Sequence, residues 1–165
     1  MKIRAATVSD VPSITAILNH EIANAPAIWL EKPVSEDSRR AWLLERQENG
    51  FPVFVAEDDG ILGFGSFGPF RPYEGFRNTV EHLVYVSADA RGKGVGRALL
   101  ISLIDEARKR MLRVMVGAID AENEASLKLH LSLGFVETGR MFQIGEKWGV
   151  RRTMVLLQNE LQCRG

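Results

Sequence analysis

The sequence predicts an α/β domain, with a mixed central sheet of about seven strands flanked by about four helices. Two patterns and one junction predict it. Short runs such as Val84-Tyr85-Val86 carry β-branched and aromatic residues between turn-forming neighbours, as strands do. Longer runs repeat apolar residues every three or four positions, as a helix does when one face is buried. The junction lies at residues 84–100, where a buried strand passes through a glycine-rich turn into a helix, a succession typical of α/β sheets.

Residues 2–7 form the first predicted strand. Thr7 or Ser9 can cap the helix that follows at 11–24, whose Val11, Ile14, Ile17, Leu18 and Ile22 share one face. Residues 25–33 hold two prolines and Trp29 and read as a loop. Ser35 caps a second helix, which runs through Ala41, Trp42 and Leu44 to Gly50. A hairpin follows, with strands at 52–57 and 61–68 around Asp58-Asp59-Gly60. Residues 69–75 form a second aromatic loop and 79–87 a long strand. The helix after the glycines reaches Arg110, 113–119 is a strand, and Asn123 opens a helix that Gly134 ends. Two closing strands are expected at 135–139 and 151–157, joined by a glycine-containing connector, with a polar tail over 158–165. Nothing in the composition divides residues 1–165, so they read as one domain.

Charge and composition exclude several classes of function. Basic and acidic side chains balance at 21 each, so no long-range field draws the chain to nucleic acid or to an anionic membrane. No apolar run approaches the ~20 residues that span a bilayer, and the first residues lack the apolar stretch of a signal peptide. Cys163 is the one cysteine and has no partner for an internal disulfide. His20, His82 and His130 are too scattered for a zinc site, so no metal is expected. These features predict a cytoplasmic protein.

The run Arg91-Gly92-Lys93-Gly94-Val95-Gly96-Arg97 has the makings of an anion cradle. Glycines let successive N–H groups turn inward, the helix start adds unpaired donors and partial positive charge, and three basic side chains add full charges. A pyrophosphate is the expected guest. A Walker A loop would need a serine or threonine after its lysine, but Gly94 follows Lys93. A dinucleotide fingerprint needs Gly-x-Gly-x-x-Gly, and these glycines are evenly spaced. Arg91-x-x-Gly94-x-Gly96 instead resembles the Arg/Gln-x-x-Gly-x-Gly/Ala signature of the GNAT family of N-acetyltransferases, which bind acetyl-coenzyme A.

Acetyl transfer from a thioester to an amine needs few parts. An α-amino group titrates near 8 and a lysine amine near 10.4, so a carboxylate or an ordered water must take a proton before attack. Glu81, just before the strand segment that would hold the thioester arm, is the preferred base. His82 is the alternative; it points to the opposite face unless a bulge intervenes. The main chain of Val84 and Val86 can bond an amide-rich arm as an added strand and polarise the thioester carbonyl. Asn123, Ser126 and His130 share a helical face; Asn123 can contact the arm and His130 can protonate the departing thiolate. Trp29, Phe70, Arg71, Tyr73 and Arg77, from the two aromatic loops, suit a small molecule with a carboxylate, with Arg71 as its anchor.

Across nearly its whole length the chain resembles the phosphinothricin/methionine sulfoximine (methionine sulfone) acetyltransferase subgroup of the GNAT family. The resemblance rests on Ala27-Ile28-Trp29, on residues 68–77 (Gly-Pro-Phe-Arg-Pro-Tyr-Glu-Gly-Phe-Arg), on Thr79-Val80-Glu81-His82, on the glycine cradle, and on Leu129-His130 with Leu133-Gly134-Phe135. It implies a GNAT fold and acetyl-coenzyme A as cosubstrate. It also implies direct transfer to the α-amino group of a small amino-acid analogue, in a homodimer. Implied substrate contacts are Arg71, Pro72, Tyr73, Glu81, His82 and Leu83. Implied coenzyme contacts are Val84, Tyr85, Val86, Gly92, Lys93, Gly94, Val95, Gly96, Arg97 and Asn123. Leu83 stands where close relatives carry serine, and Pro69-Phe70, residues 141–145 and residues 148–151 also depart from the subgroup. All these departures fall on the acceptor side. The competing readings are a protein N-terminus, lysine or polyamine as acceptor, and an acyl-coenzyme A sensor without catalysis.

Overall fold

In the computed structural model, which describes residues 1–26 and 28–162, the chain runs β1 (Lys2–Ala5), α1 (Val11–Asn24), α2 (Glu36–Glu48), β2 (Val53–Asp58), β3 (Gly60–Pro69), β4 (Thr79–Val86), α3 (Val95–Lys109), β5 (Val114–Asp120), α4 (Glu124–Ser132), β6 (Val136–Lys147) and β7 (Val150–Glu160). Ala27 of the 27–29 motif and Cys163 lie outside the described residues. The strands form one sheet in the order β1-β2-β3-β4-β5-β7-β6, and the β4–β5 pair alone is parallel among those neighbours.

Local chemistry explains the helix starts. Thr7 and Asp10 form a capping box around a short 3-10 turn that leads into α1, with Thr7 N–H donating to the Asp10 carboxylate at 2.8 Å. Ser35 Oγ accepts the Ser38 N–H at 3.1 Å and starts α2. Asn123 does the same for α4 through the Ser126 N–H at 3.2 Å. Alternation along β3 divides the core. Phe64 packs with Ile14, Leu18 and Leu43 of α1 and α2 on one face of the sheet. Phe67 packs with Leu100, Leu103 and Ile104 of α3 and with Phe135 on the other. Each such buried aliphatic or aromatic side chain contributes roughly 1.5–3 kcal/mol.

The C-terminal third differs from the expectation. Instead of a short strand and a connector, β6 continues through Lys147 and turns at Trp148-Gly149, both at positive φ (52° and 75°), into β7. The polar tail expected from 158 is strand as far as Glu160, and Leu161 after it is buried. The hairpin tip is fastened to α1. Lys147 is 1% exposed, and its ammonium donates to the carbonyls of Ile22 and Ala25 at 2.7 and 2.8 Å. Those bonds satisfy acceptors at and just beyond the helix C-terminus and place the cation at its negative end.

Candidate active site

The site is built around a seam in the sheet. β4 pairs with β3 from Val80↔Pro69 to Val86↔Gly63 without a register shift. Its parallel pairing with β5 covers only Thr79↔Val114, Val80↔Met115 and Glu81↔Val116. Beyond that point β4 continues to Val86 while β5 stays with β7, so the two strands part and one edge of β4 has no ladder partner. A segment carrying amides can complete such an edge. The side chains of Val84 and Val86 pack toward the α3 layer and Tyr85 toward α1 and Phe64, which leaves the main chain as the feature presented at the seam.

At the far end of β4 lies the cradle. After a 3-10 turn at Ala88–Ala90, Gly92 and Gly94 take positive φ (73° and 81°), and Gly94 caps α3 without any side-chain bond to its first turn. A Cβ at either glycine would meet nothing within 4 Å, so the surface around them is open. Exposed Lys93 and Arg97 flank it, and Arg97 Nη1 donates to Ser132 Oγ at 3.0 Å. Free helix-start amides, open space and local cations fit a pyrophosphate. Arg91 turns elsewhere: its guanidinium pairs with the Glu21 carboxylate of α1 and pins the start of the cradle loop to that helix.

With no bulge, alternation along β4 separates the two candidate bases. Glu81 faces α2, half-buried, with Arg46 and Arg71 close enough to act on it electrostatically. Burial lifts its carboxyl above the ordinary glutamate value, and the two guanidiniums pull it part of the way back. Arg71 lies over the Phe70 ring at 4.9 Å, and Phe70 meets Phe76 edge-on. Arg46, which the sequence did not single out, brings its guanidinium against Gly68, the cross-strand partner of Glu81.

His82 points to the other face, into a pair with His130. The rings stack with centroids 5.0 Å apart, their Nε2 atoms are 3.0 Å apart, and Phe135 meets both edge-on. His130 Nδ1 lies 2.6 Å from the Ser126 carbonyl, which can only accept. Nδ1 therefore carries the proton, Nε2 is left to accept, and His82 Nε2–H donates to it. Burial pushes His130 below the ordinary histidine value and, with His130 alongside, pushes His82 down to about 3. The pair is thus uncharged at neutral pH, and both His130 nitrogens are engaged. It rests on Gly117, where a Cβ would come within 3.0 Å of His82 Nε2 and 3.4 Å of the His130 ring. Gly117→Ala should cost about 1–3 kcal/mol in urea unfolding by overpacking this site. A variant as stable as the parent would show that the rings can move aside.

The remaining predicted residues are scattered around these features. Tyr73 and Pro72 are exposed, and Arg77 Nη1 donates to the Glu74 carbonyl at 3.0 Å within its own loop. Leu83 packs against the α1–α2 core. Trp29 lies against Gly145 of β6, where a Cβ would overlap its ring. The structure therefore brings Glu81 and Arg71 together and separates them from His82 and His130. Arg46 and Glu21 had escaped notice. Gly68 was the available signal for Arg46, since glycine within a strand often marks a close approach.

Known proteins give the same picture of the chain. The model of the acetyltransferase (GNAT) family matches residues 14–135. An L-methionine sulfoximine/L-methionine sulfone acetyltransferase of Pseudomonas aeruginosa is 48% identical over 161 residues, covering 96% of this chain and 94% of its own. An acetyltransferase of Salmonella typhimurium, solved with acetyl-CoA, superposes with a TM-score of 0.96 at 45% identity, covering 100% of this chain and 96% of that one. A ribosomal-protein-alanine N-acetyltransferase of Brucella melitensis superposes with a TM-score of 0.95, also at 45% identity, covering 97% and 99%. With a family match over most of its length, and the seam and glycine cradle described above, the chain belongs to the GNAT family of acetyltransferases.

Proposed function

We propose that residues 1–165 form a single acetyltransferase domain that acetylates the α-amino group of a small free amino acid or analogue, of the methionine sulfone, methionine sulfoximine or phosphinothricin type. The observation that carries this reading is Glu81, a half-buried carboxylate on the α2 face with Arg46 and Arg71 acting on it. Of the relatives described above, one is named for methionine sulfoximine and methionine sulfone and another for the alanine of ribosomal proteins, so the acceptors in both names are amino acids or their analogues. Two cations beside the base favour the free amino acid, whose carboxylate a peptide lacks at that position.

Acetyl-coenzyme A supplies an activated acyl carbon, and its bond to sulfur is the one broken. In this reading the amides of Gly92, Gly94 and Gly96, with Lys93 and Arg97, hold the pyrophosphate. The open edge from Val84 to Val86 holds the amide arm and offers an N–H to the acyl oxygen. Asn123 and Ser126, at the start of α4, border the arm. Glu81 takes the proton that the amine must lose before its nitrogen attacks. The leaving thiol resembles cysteine, with a pKa near 8.5, and departs without a dedicated acid. We assign His130 to holding His82, since neither of its nitrogens has a proton to spare for that thiol.

Trp29, Pro72, Tyr73, Arg77 and Leu83 line the acceptor approach in this proposal. The homodimer implied by the subgroup is supported by the edge strand β6, whose Met141, Phe142 and Ile144 are exposed, with Phe142 at 77%. No helix among the described residues is long and apolar enough to cross a membrane, which accords with work in the cytoplasm. Release of free thiol from acetyl-coenzyme A should be followed with methionine sulfone, methionine sulfoximine, phosphinothricin, common amino acids, polyamines and peptides. Turnover is expected with the free amino-acid analogues, at least a hundredfold above that with peptides. Preference for peptides would move the acceptor to a protein terminus, and coenzyme binding without transfer to any amine would leave a sensor.

A further inference from the structure

Arg46 has no place in the motifs that carry the family resemblance, yet it is held in a costly position. It sits near the end of α2, with its guanidinium over Trp42 at 5.8 Å from the ring centroid and Nη1 directed at Gly68. A Cβ at position 68 would overlap that guanidinium, so the glycine is what lets the cation reach the sheet. Its Nη1 is buried and donates to nothing. A buried N–H of a charged group left without an acceptor is costly, and a cation held at that cost is retained where its charge is used.

The charges around it indicate what that use is. Gly68 is the cross-strand partner of Glu81, so Arg46 lies beside the proposed base. Arg71 acts on the same carboxylate from the loop after β3. No carboxylate among the described residues forms an ion pair with either guanidinium. Glu45 and Glu81 both act on Arg46 electrostatically, yet neither forms an ion pair with it, and a carboxylate of the acceptor would supply that counter-ion.

We propose that Arg46 is a specificity-determining residue that binds the α-carboxylate of the acceptor with its guanidinium, so that the site selects free amino acids over amides and peptides. This rests on the acceptor class proposed above and adds the residue that reads it. Trp42 and Gly68 hold the guanidinium in place, and Arg71 adds a second positive charge near Glu81.

The test compares L-methionine sulfone with its carboxamide, which keeps the amine and side chain but lacks the negative charge. Arg46→Gln should raise the KM for the free acid at least tenfold and leave that for the carboxamide within about threefold. The KM for acetyl-coenzyme A should not change. Gly68→Ala keeps the arginine and displaces its head, so it should reproduce the acid-selective loss. Equal losses with acid and carboxamide, or a shift of the pH profile without acid selectivity, would mean that Arg46 only supports Glu81 or the fold, and would overturn the inference. A parent enzyme that acetylates neither compound would instead overturn the acceptor class itself, and this inference with it.

Discussion

Glu81→Gln should lower kcat by about 10²–10⁴, the usual contribution of a positioned general base, and leave the KM for acetyl-coenzyme A near that of the parent. Glutamine keeps the volume of glutamate and its capacity for hydrogen bonds, so thermal stability should be unchanged and the loss can be assigned to proton transfer. The pH profile supplies an independent readout. The base works only when ionised, so the parent's kcat/KM should rise with pH through a carboxyl pKa that burial has lifted above the ordinary glutamate value. A second rise should follow as the acceptor amine itself deprotonates. In the variant the first rise should disappear and the second remain. A variant that kept both limbs and lost less than threefold in rate would show that Glu81 is not the base, and an ordered water would take its place.

Gly94→Glu should weaken acetyl-coenzyme A by more than a hundredfold in calorimetry, with the circular dichroism spectrum preserved. Gly94 caps α3 at φ 81°, a left-handed conformation that costs an ordinary residue roughly 1–2 kcal/mol. Its missing Cβ faces open space, so the new side chain would not collide with the protein. It would instead bring a negative charge to the amides and cations that the pyrophosphate needs. Gly94→Ala separates the two effects: it carries the backbone strain without the charge and should lose much less affinity. Undiminished binding by Gly94→Glu would mean that the diphosphate lies elsewhere.

The parts legible in the sequence were those with local causes. The bounds of α1 followed from its apolar spacing and agree to the residue. The starts of α2 and α4 followed from Ser35 and Asn123, whose side chains cap them. The separation of Glu81 from His82 needed only regular alternation, and β4 is regular. The length of β6 was not legible. It is an exposed edge strand with register shifts near Glu137 and Met141, so no apolar alternation marks it, and Gly139 and Gly145 resemble loop residues. Arg46 was hidden for another reason. It lies on a strongly polar helix, and only the packing of α2 against β3 brings it to Glu81. The strand glycines held the missing information. Gly68, Gly117 and Gly145 each accommodate a long or aromatic side chain from elsewhere in the chain: Arg46, the histidine pair and Trp29.

The stacked imidazoles have a consequence for tolerance to acid. A histidine in the unfolded chain titrates near 6.5, whereas His82 in the fold accepts a proton only near pH 3. As acidity increases, the unfolded chain binds that proton first, so the contribution to stability is complete above about pH 6.5 and drains away toward pH 3. Throughout the near-neutral range the histidine face of the seam therefore carries no ionic charge and does not respond to modest swings in acidity. The rate's sensitivity to pH there is left to one carboxylate and the incoming amine.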